Sequence, residues 1–353
     1  MIVKNRLRRD NFIKVLESLW LRPNRSRADI ARELRLDRST VGYMVDQMVE
    51  LGIIEQTSND STGPRGGRPS VLLRILPGYA YSIGVELTFP NMNLIAVDLC
   101  GRYMGERTIP IQDYGPRLID SLAVETSRFQ RSVGAAYEGR QGLLTLGVGA
   151  SGVVDEERKH ILLSDALGIE CPLPVAEPLE KVLAVPITVI NDAQASVLRE
   201  AGRRKQKDIL LVQVRYHPRN AVQEIGIGAG LVIGNQLIRG RTITHLLKPP
   251  VLDDEEKLAH YIDTLGQSFA LAANISGVDE IVLGGDATSV LDRLDRSILH
   301  HMSRKGADRD SPVIVSRLDA GSDNIAAGAA YAAVGFLFSS LTFPLAASFF
   351  DAQ

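Results

Sequence analysis

Arg38, Ser39, Thr40, Tyr43 and Gln47 recur at spacings that put them on the outward face of one helix. Side chains of these types reach base edges and phosphates. Arginine binds guanine bidentately, glutamine binds adenine in the same way, and serine or threonine bonds to groove edges or to phosphate. A solvated face on a small helical domain would carry the same residues. Much further along, Asn191-Asp192 ends a strand pattern at 187–190 and opens a helix running to about Arg204. In a sugar kinase, an aspartate there would be the base that takes a proton from the hydroxyl being phosphorylated. In a protein that only binds, it would accept hydrogen bonds from sugar hydroxyls. The pair is also simply a good helix start. Three glycine-rich turns complete the set: Gly147-Val148-Gly149-Ala150-Ser151-Gly152-Val153-Val154-Asp155, Gly226-Ile227-Gly228-Ala229-Gly230 and Gly284-Gly285. Such turns let backbone amides approach phosphates or sugar hydroxyls, and they also serve tight turns and close packing.

Helices must position the first group. Phe12, Val15, Leu16, Leu19 and Trp20 form one apolar stripe, and Pro23-Asn24 ends that helix. A second helix opens at Ser26 with Asp29 three residues on, a capping-box pattern, and buries Ile30, Ala31 and Leu34. The turn Arg35-Leu36 leads to Asp37, an N-cap for a third helix burying Val41, Met44, Val45, Met48 and Leu51, with Gly52 as its stop. Two short helices joined by a tight turn make a helix-turn-helix, whose second helix enters the major groove in DNA-binding versions. Ile53-Ile54 and Val71-Leu72-Leu73 read as the strands of a hairpin. Its tip carries Arg65 and Arg68 among glycines, as a basic wing or as an interdomain linker.

The remaining chain repeats a pattern. Strands at 81–87, 93–99 and 105–111, a helix at 116–137 and a strand at 142–150 are followed by strands at 208–214, 226–233 and 235–240, a helix at 255–275 and a strand at 280–285. The repeat implies two α/β lobes facing across a ligand cleft. The expected division is 1–75, a winged helix-turn-helix; 76–190, a first lobe; and 191–353, a second lobe whose last helix packs back on the first.

With 353 residues, 45% of them hydrophobic, the chain has a globular composition and room for two or three domains. Basic side chains outnumber acidic ones in residues 1–75 (14 to 9), and the reverse holds beyond (26 to 33). That asymmetry directs the head, and not the body, toward a polyanion. No apolar run reaches the roughly 18–20 residues of a membrane span. The most apolar stretch, 329–350, reads as a buried helix and tail. The N-terminus lacks the apolar core of a signal peptide, and two distant cysteines, Cys100 and Cys171, supply no zinc site. A cytoplasmic protein without membrane contact is expected.

As a set, these residues resemble the ROK family (repressor, open reading frame, kinase) over nearly the whole chain. Ser26-Arg27-Ala28-Asp29-Ile30-Ala31 and Ser39-Thr40-Val41 are similar to its helix-turn-helix, and Gly66-Gly67-Arg68-Pro69 to the end of its wing. The body resemblance rests on 149–155, Asn191-Asp192-Ala193 and 226–230. It implies an actin-like, ribonuclease-H-like body and a repressor of carbohydrate genes that binds its operator as a homodimer or homotetramer. Arg27, Arg38, Ser39, Thr40, Tyr43, Gln47, Arg65 and Arg68 are the DNA-contact candidates. Gly149, Ser151, Gly152, Asn191, Asp192 and His245 are the candidates for holding a sugar effector.

Departures from the family pattern argue against catalysis. Where the family's first phosphate loop reads Asp-x-Gly-Gly-Thr, this chain has Glu86-Leu87-Thr88-Phe89-Pro90. Phe89 would block phosphate and Pro90 lacks an amide donor, and phosphoryl transfer depends on that positioning. The family's sugar-contacting Glu-Ile-Gly-His is replaced by a segment in which His245 is the remnant. The cysteine-rich zinc motif is absent, so no cofactor is expected. Two other readings remain: an ATP-dependent sugar kinase with an accessory head, and a regulator whose body is an effector-independent scaffold.

Overall fold

A computed structural model describes residues 2–58, 71–139, 141–204, 207–219, 222–238, 254–303, 313–318 and 325–340. The chain begins with three helices, α1 (Ile2–Leu21), α2 (Arg27–Leu34) and α3 (Arg38–Glu50), then β1 (Ile54–Ser58) and β2 (Val71–Ile75). Phe12, Val15, Leu16 and Leu19 are buried against Ile30, Ala31, Val41, Met44, Val45 and Met48, as the apolar stripes require. Ser26 and Asp29 form a complete capping box. The Ser26 hydroxyl accepts the Asp29 N–H (3.2 Å) and the Asp29 carboxylate accepts the Ser26 N–H (3.3 Å). The Ser26 hydroxyl also donates to that carboxylate and holds its pKa below the ordinary value. Asp37 stands at the N-cap of α3, yet its side chain makes no capping bond and stays exposed. Gly52, at φ 65°, reverses the chain after α3 in a conformation that side chains disfavour. β1 and β2 pair antiparallel, Ile54 opposite Ile75 through Ser58 opposite Val71. The loop that joins them, with Arg65 and Arg68, lies outside the described residues.

The body is a duplication. β3 (Tyr81–Thr88), β4 (Asn91–Asp98), β5 (Tyr103–Pro110), α4 (Pro116–Ala135) and β6 (Leu143–Ala150) are followed by a small sheet of β7 (Val153–Asp155), β8 (His160–Leu163) and β9 (Leu173–Pro174). Then come α5 (Ala176–Leu183), β10 (Ile187–Asn191) and α6 (Asp192–Arg203). The second half runs β11 (Ile209–Arg219), β12 (Val222–Ile233), β13 (Gln236–Leu237), α7 (Glu255–Ser276), β14 (Glu280–Gly284), α8 (Thr288–Ser303), β15 (Ile314–Arg317) and α9 (Ile325–Ser339). The two five-stranded sheets have equivalent orders, β10-β6-β3-β4-β5 and β15-β14-β11-β12-β13. In each, three antiparallel strands in series are extended by two parallel ones. β13 is shorter than the strand expected at 235–240, of which 239–240 lie outside the described residues.

α9 packs on β3, β4, β6 and β10 and against α6, which also packs on β11 and β12. Small residues set these distances. A methyl group at Gly84 would collide with the Ala326 carbonyl, at Gly147 with the Ala329 carbonyl, and at Gly328 with the Ala195 carbonyl. On the other side of α6, a Cβ at Gly230 would lie 2.6 Å from the Ala193 carbonyl oxygen and from Val197. The far end of α9 meets the first unit. Trp20 of α1 stacks on Tyr331 (centroids 4.4 Å apart) and leans on Phe338 (5.2 Å). Val334, Leu337 and Phe338 thereby share one continuous core with Phe12, Leu16 and Leu19. Burial raises the Tyr331 hydroxyl pKa, with Glu17 adding to the effect.

Gly147→Ala is expected to destabilise the fold by at least about 1–3 kcal/mol, because the methyl overpacks a backbone that has no room to yield. Gly202→Ala, near the end of α6 with nothing within 4 Å of the added carbon, should be neutral or stabilising by up to about 1 kcal/mol. Urea unfolding of the two variants beside the parent checks both.

Candidate functional site: a helical surface and an interlobe cleft

α3 carries the first candidate surface. Arg38 and Ser39 are exposed and Thr40 is half-buried, and among the described residues none of these side chains makes a hydrogen bond or ion pair. Their backbone N–H groups open the helix and have no intrahelical acceptor. Tyr43, one turn on, is 44% exposed, and the Arg8 guanidinium of α1 lies 6.0 Å from its ring centroid. Gln47 departs from the expectation. It is half-buried, and its Oε1 is buried without a hydrogen-bond partner among the described residues. This amide therefore projects less than Tyr43 one turn before it. Arg27 is also placed differently: it donates to the Asp46 carboxylate at 2.7 Å, tying α2 to α3.

The second candidate site gathers at the carboxyl ends of the parallel strands β3, β6 and β10, the usual ligand position of open α/β sheets. The Asn191 side chain is engaged by the fold through both its oxygen and its nitrogen. Its Oδ1 accepts the N–H groups of Ala193 (3.0 Å) and Gln194 (3.3 Å), capping α6, and its Nδ2 donates to the Gly152 carbonyl (3.0 Å). Asp192 is half-buried beside Gly228 of β12, and its Oδ1 accepts the Ala193 N–H at 2.8 Å. Ser151 is buried; its N–H donates to the Leu87 carbonyl (3.2 Å), and its hydroxyl lies 3.4 Å from that of Ser164. Gly152, at φ 106°, packs on Leu163 and Ser164. The structure therefore brings Ser151, Gly152, Asn191 and Asp192 to one rim.

Gly149 needs a correction. It lies inside β6, opposite Glu86 on one side and Ile190 on the other, and a Cβ there would stand 2.6 Å from Ile325 of α9. Strand pairing and α9 occupy both its backbone and its open face, so its smallness serves packing. His245 lies outside the described residues.

Sequence reasoning placed Glu86 only in the altered loop segment and missed its partners and the other buried polar residues nearby. The Glu86 carboxylate accepts from Asn93 Nδ2 (2.9 Å) and lies 3.7 Å from the Arg215 guanidinium of β11, an ion pair across the two lobes. Gln213, almost fully buried, donates to the Ser196 hydroxyl of α6 (3.1 Å). Ser164 stands in no motif, and its signal appears only when the β7–β8 hairpin folds it over Ser151. Phe89-Pro90 is the two-residue turn between β3 and β4: Thr88 pairs with Asn91, and the Pro90 carbonyl accepts from Ile111 N–H at 2.9 Å. Its Phe89 ring stacks on Tyr114 at 6.3 Å. A tight, aromatic-filled turn has no free run of amides with which to wrap a phosphate. Among the described residues, no three metal-ligating side chains come together, and no helix is long and apolar enough to cross a membrane.

Residues 82–247 match the model of the family described as ROK. The xylose repressor of Staphylococcus xylosus is 24% identical over 232 residues, covering 65% of this chain and 57% of that protein. The chain thus spans little more than half the length of the curated relatives it matches. A crystal structure of a ROK family transcriptional regulator, described as a homolog of the Escherichia coli MLC protein, superposes with a TM-score of 0.71. It has 15% identity and covers 95% of this chain and 99% of that one. The ROK hexokinase of Thermus thermophilus superposes at 0.55, with 17% identity, 73% of this chain and 99% of that one. These likenesses establish the actin-like, sugar-kinase-type fold of the body.

Asn191→Ala removes the cap of α6 and the bond to Gly152, and should cost about 0.5–2 kcal/mol of stability for the cap alone. Asn191→Ser restores the capping oxygen without the donor, so it should recover most of that loss. Chemical denaturation midpoints at constant slope separate the two contributions.

Proposed function

We propose that this chain, which carries a ROK family domain at 82–247, is a sequence-specific transcriptional repressor of sugar-related genes and does not phosphorylate sugar. Its first 75 residues act as a winged helix-turn-helix. The observation that carries the reading is the α3 surface. Arg38, Ser39, Thr40 and Tyr43 project from a helix that follows α2 through a tight turn, and the first three have no partner of their own among the described residues. A buried or paired face would have no such reach. The xylose repressors among its relatives support the carbohydrate assignment.

In this reading α3 enters the major groove with its first turn against base edges and phosphates. The operator is met by a homo-oligomer, each head on one half-site, with Arg65 and Arg68 on the flanking backbone. The rim of Ser151, Gly152, Asn191 and Asp192 receives the effector, a sugar or sugar derivative whose hydroxyls bond to Asp192. α6 begins at that rim and packs on α9, and α9 ends against Trp20 of α1. A ligand that shifts the angle between α6 and α9 therefore acts on the head. Such control requires the ligand to bind the DNA-competent and DNA-incompetent arrangements with different affinity. Asp192 is also what a kinase would use as a base, but the Phe89-Pro90 turn opposes nucleotide binding.

Selection of bound duplexes from a random library should yield a motif with paired half-sites. Arg38→Ala should weaken binding to that motif by about 1–3 kcal/mol and relax one position of it. A panel of pentoses and hexoses should release the duplex. ATP-dependent phosphorylation of any of these sugars, lost in Asp192→Asn, would overturn the assignment.

A further inference from the structure

The arginines of the first unit divide into two kinds. Arg25 is paired with Glu33, Arg27 with Asp46, Arg32 with Asp29 and Arg74 with Glu55. Arg6, Arg8, Arg9, Arg22, Arg35 and Arg38 have no carboxylate partner among the described residues, and of these Arg8 is the one set against an aromatic ring. Its neighbour is the Tyr43 ring, with the guanidinium carbon 6.0 Å from the centroid. A cation over an aromatic face keeps its full charge, whereas an ion pair is neutralised. Arg8 is exposed, and it lies on the side of α1 that also carries Phe12 one turn later, the side facing α3. The carboxylates of the two helices do not compensate it. Asp46 is held by Arg27, and Asp10, Glu17, Asp37 and Glu50 make no ion pair with Arg8.

Geometry gives this charge a partner. A helix with its side chains is about 10–12 Å across and fills a major groove about 12 Å wide. A group seated beside the middle of such a helix therefore stands at the groove wall, where the phosphates are. We infer that Arg8, seated on Tyr43, is a DNA-backbone contact that extends the DNA surface from α3 onto α1. The ring fixes the long side chain before binding, so less conformational freedom is lost on contact. Tyr43 is then a positioning residue as well as a groove-facing one. The inference rests on the repressor reading and adds to it a residue outside the helix-turn-helix.

The test uses the full chain and a duplex selected from a random library by the parent protein, with an unrelated duplex of equal length beside it. Arg8→Ala and Arg8→Gln should lower the slope of log affinity against log salt by about 0.9, and should weaken both duplexes by the same factor. Arg6, also exposed and two residues away, points to the opposite side of α1, about 200° round the helix. Arg6→Ala should leave the slope unchanged, which controls for bulk charge. In a Tyr43→Ala background, Arg8→Ala should lose most of its effect, since the seat is gone. Unchanged melting of the Arg8 variants confirms that they fold. If Arg8→Ala and Arg8→Gln keep the parent slope while Arg38→Ala still loses the selected motif, Arg8 is no contact and the repressor reading stands. An equal slope change in Arg6→Ala likewise sinks the specific role of Arg8. If the parent does not prefer any duplex, the repressor reading itself fails and takes this inference with it.

Discussion

The close contact of α9 with the first sheet organises the molecule. Gly84 and Gly147 bring strand backbone against helix backbone, and Gly328 does the same between α9 and α6. Contacts at this distance leave no slack, because interiors are packed as densely as organic crystals. One helix is thereby fixed on three sides: to β3 and β6, to α6, and through Trp20 to the first unit. The rim residues at the start of α6 and the exposed face of α3 are separate surfaces, yet α6 touches this helix and α3 packs on α1, which also touches it. Any change in lobe angle has to move α9 as a body or break its seat.

Electrostatics sorts the rest. In the first unit Arg25, Arg27 and Arg74 are paired with carboxylates of a nearby helix or strand, which spends their charge internally. Of the arginines without an ion pair among the described residues, Arg38 stands on the exposed face of α3 and Arg8 beside the exposed Tyr43. In the body, Glu86 faces Arg215 and closes an ion pair across the two lobes.

Local rules made much of this legible. The Ser26–Asp29 capping box, the apolar stripe from Phe12 to Leu19 and the repeat of strand and helix patterns each depend on residues close in sequence. Roles set by distant partners were not legible. Gly149 reads as a loop glycine until Ile325 is placed over it. Arg27 reads as a free cation until Asp46 closes on it, and Gln47 reads as outward until α3 is docked and its Oε1 is buried. Ser164, Glu86 and Arg215 are brought to the rim by a hairpin and by the second lobe, and no local spacing encodes that. Asp37 shows the converse: a favourable residue at a helix start that makes no bond there.

The continuous core that joins α1 to α9 bears on how such a protein arises. Val334, Leu337 and Phe338 complete the core that Phe12, Leu16 and Leu19 begin. A recombination event that joined a foreign head at residue 75 would bring a mismatched stripe to α9 and leave large apolar side chains facing water at the junction. Heads and bodies of this type are therefore expected to be inherited together, with α1 and α9 changing in concert. In the repressor reading, a new DNA specificity is then reached by substitution on the outer face of α3 more readily than by exchange of the whole unit.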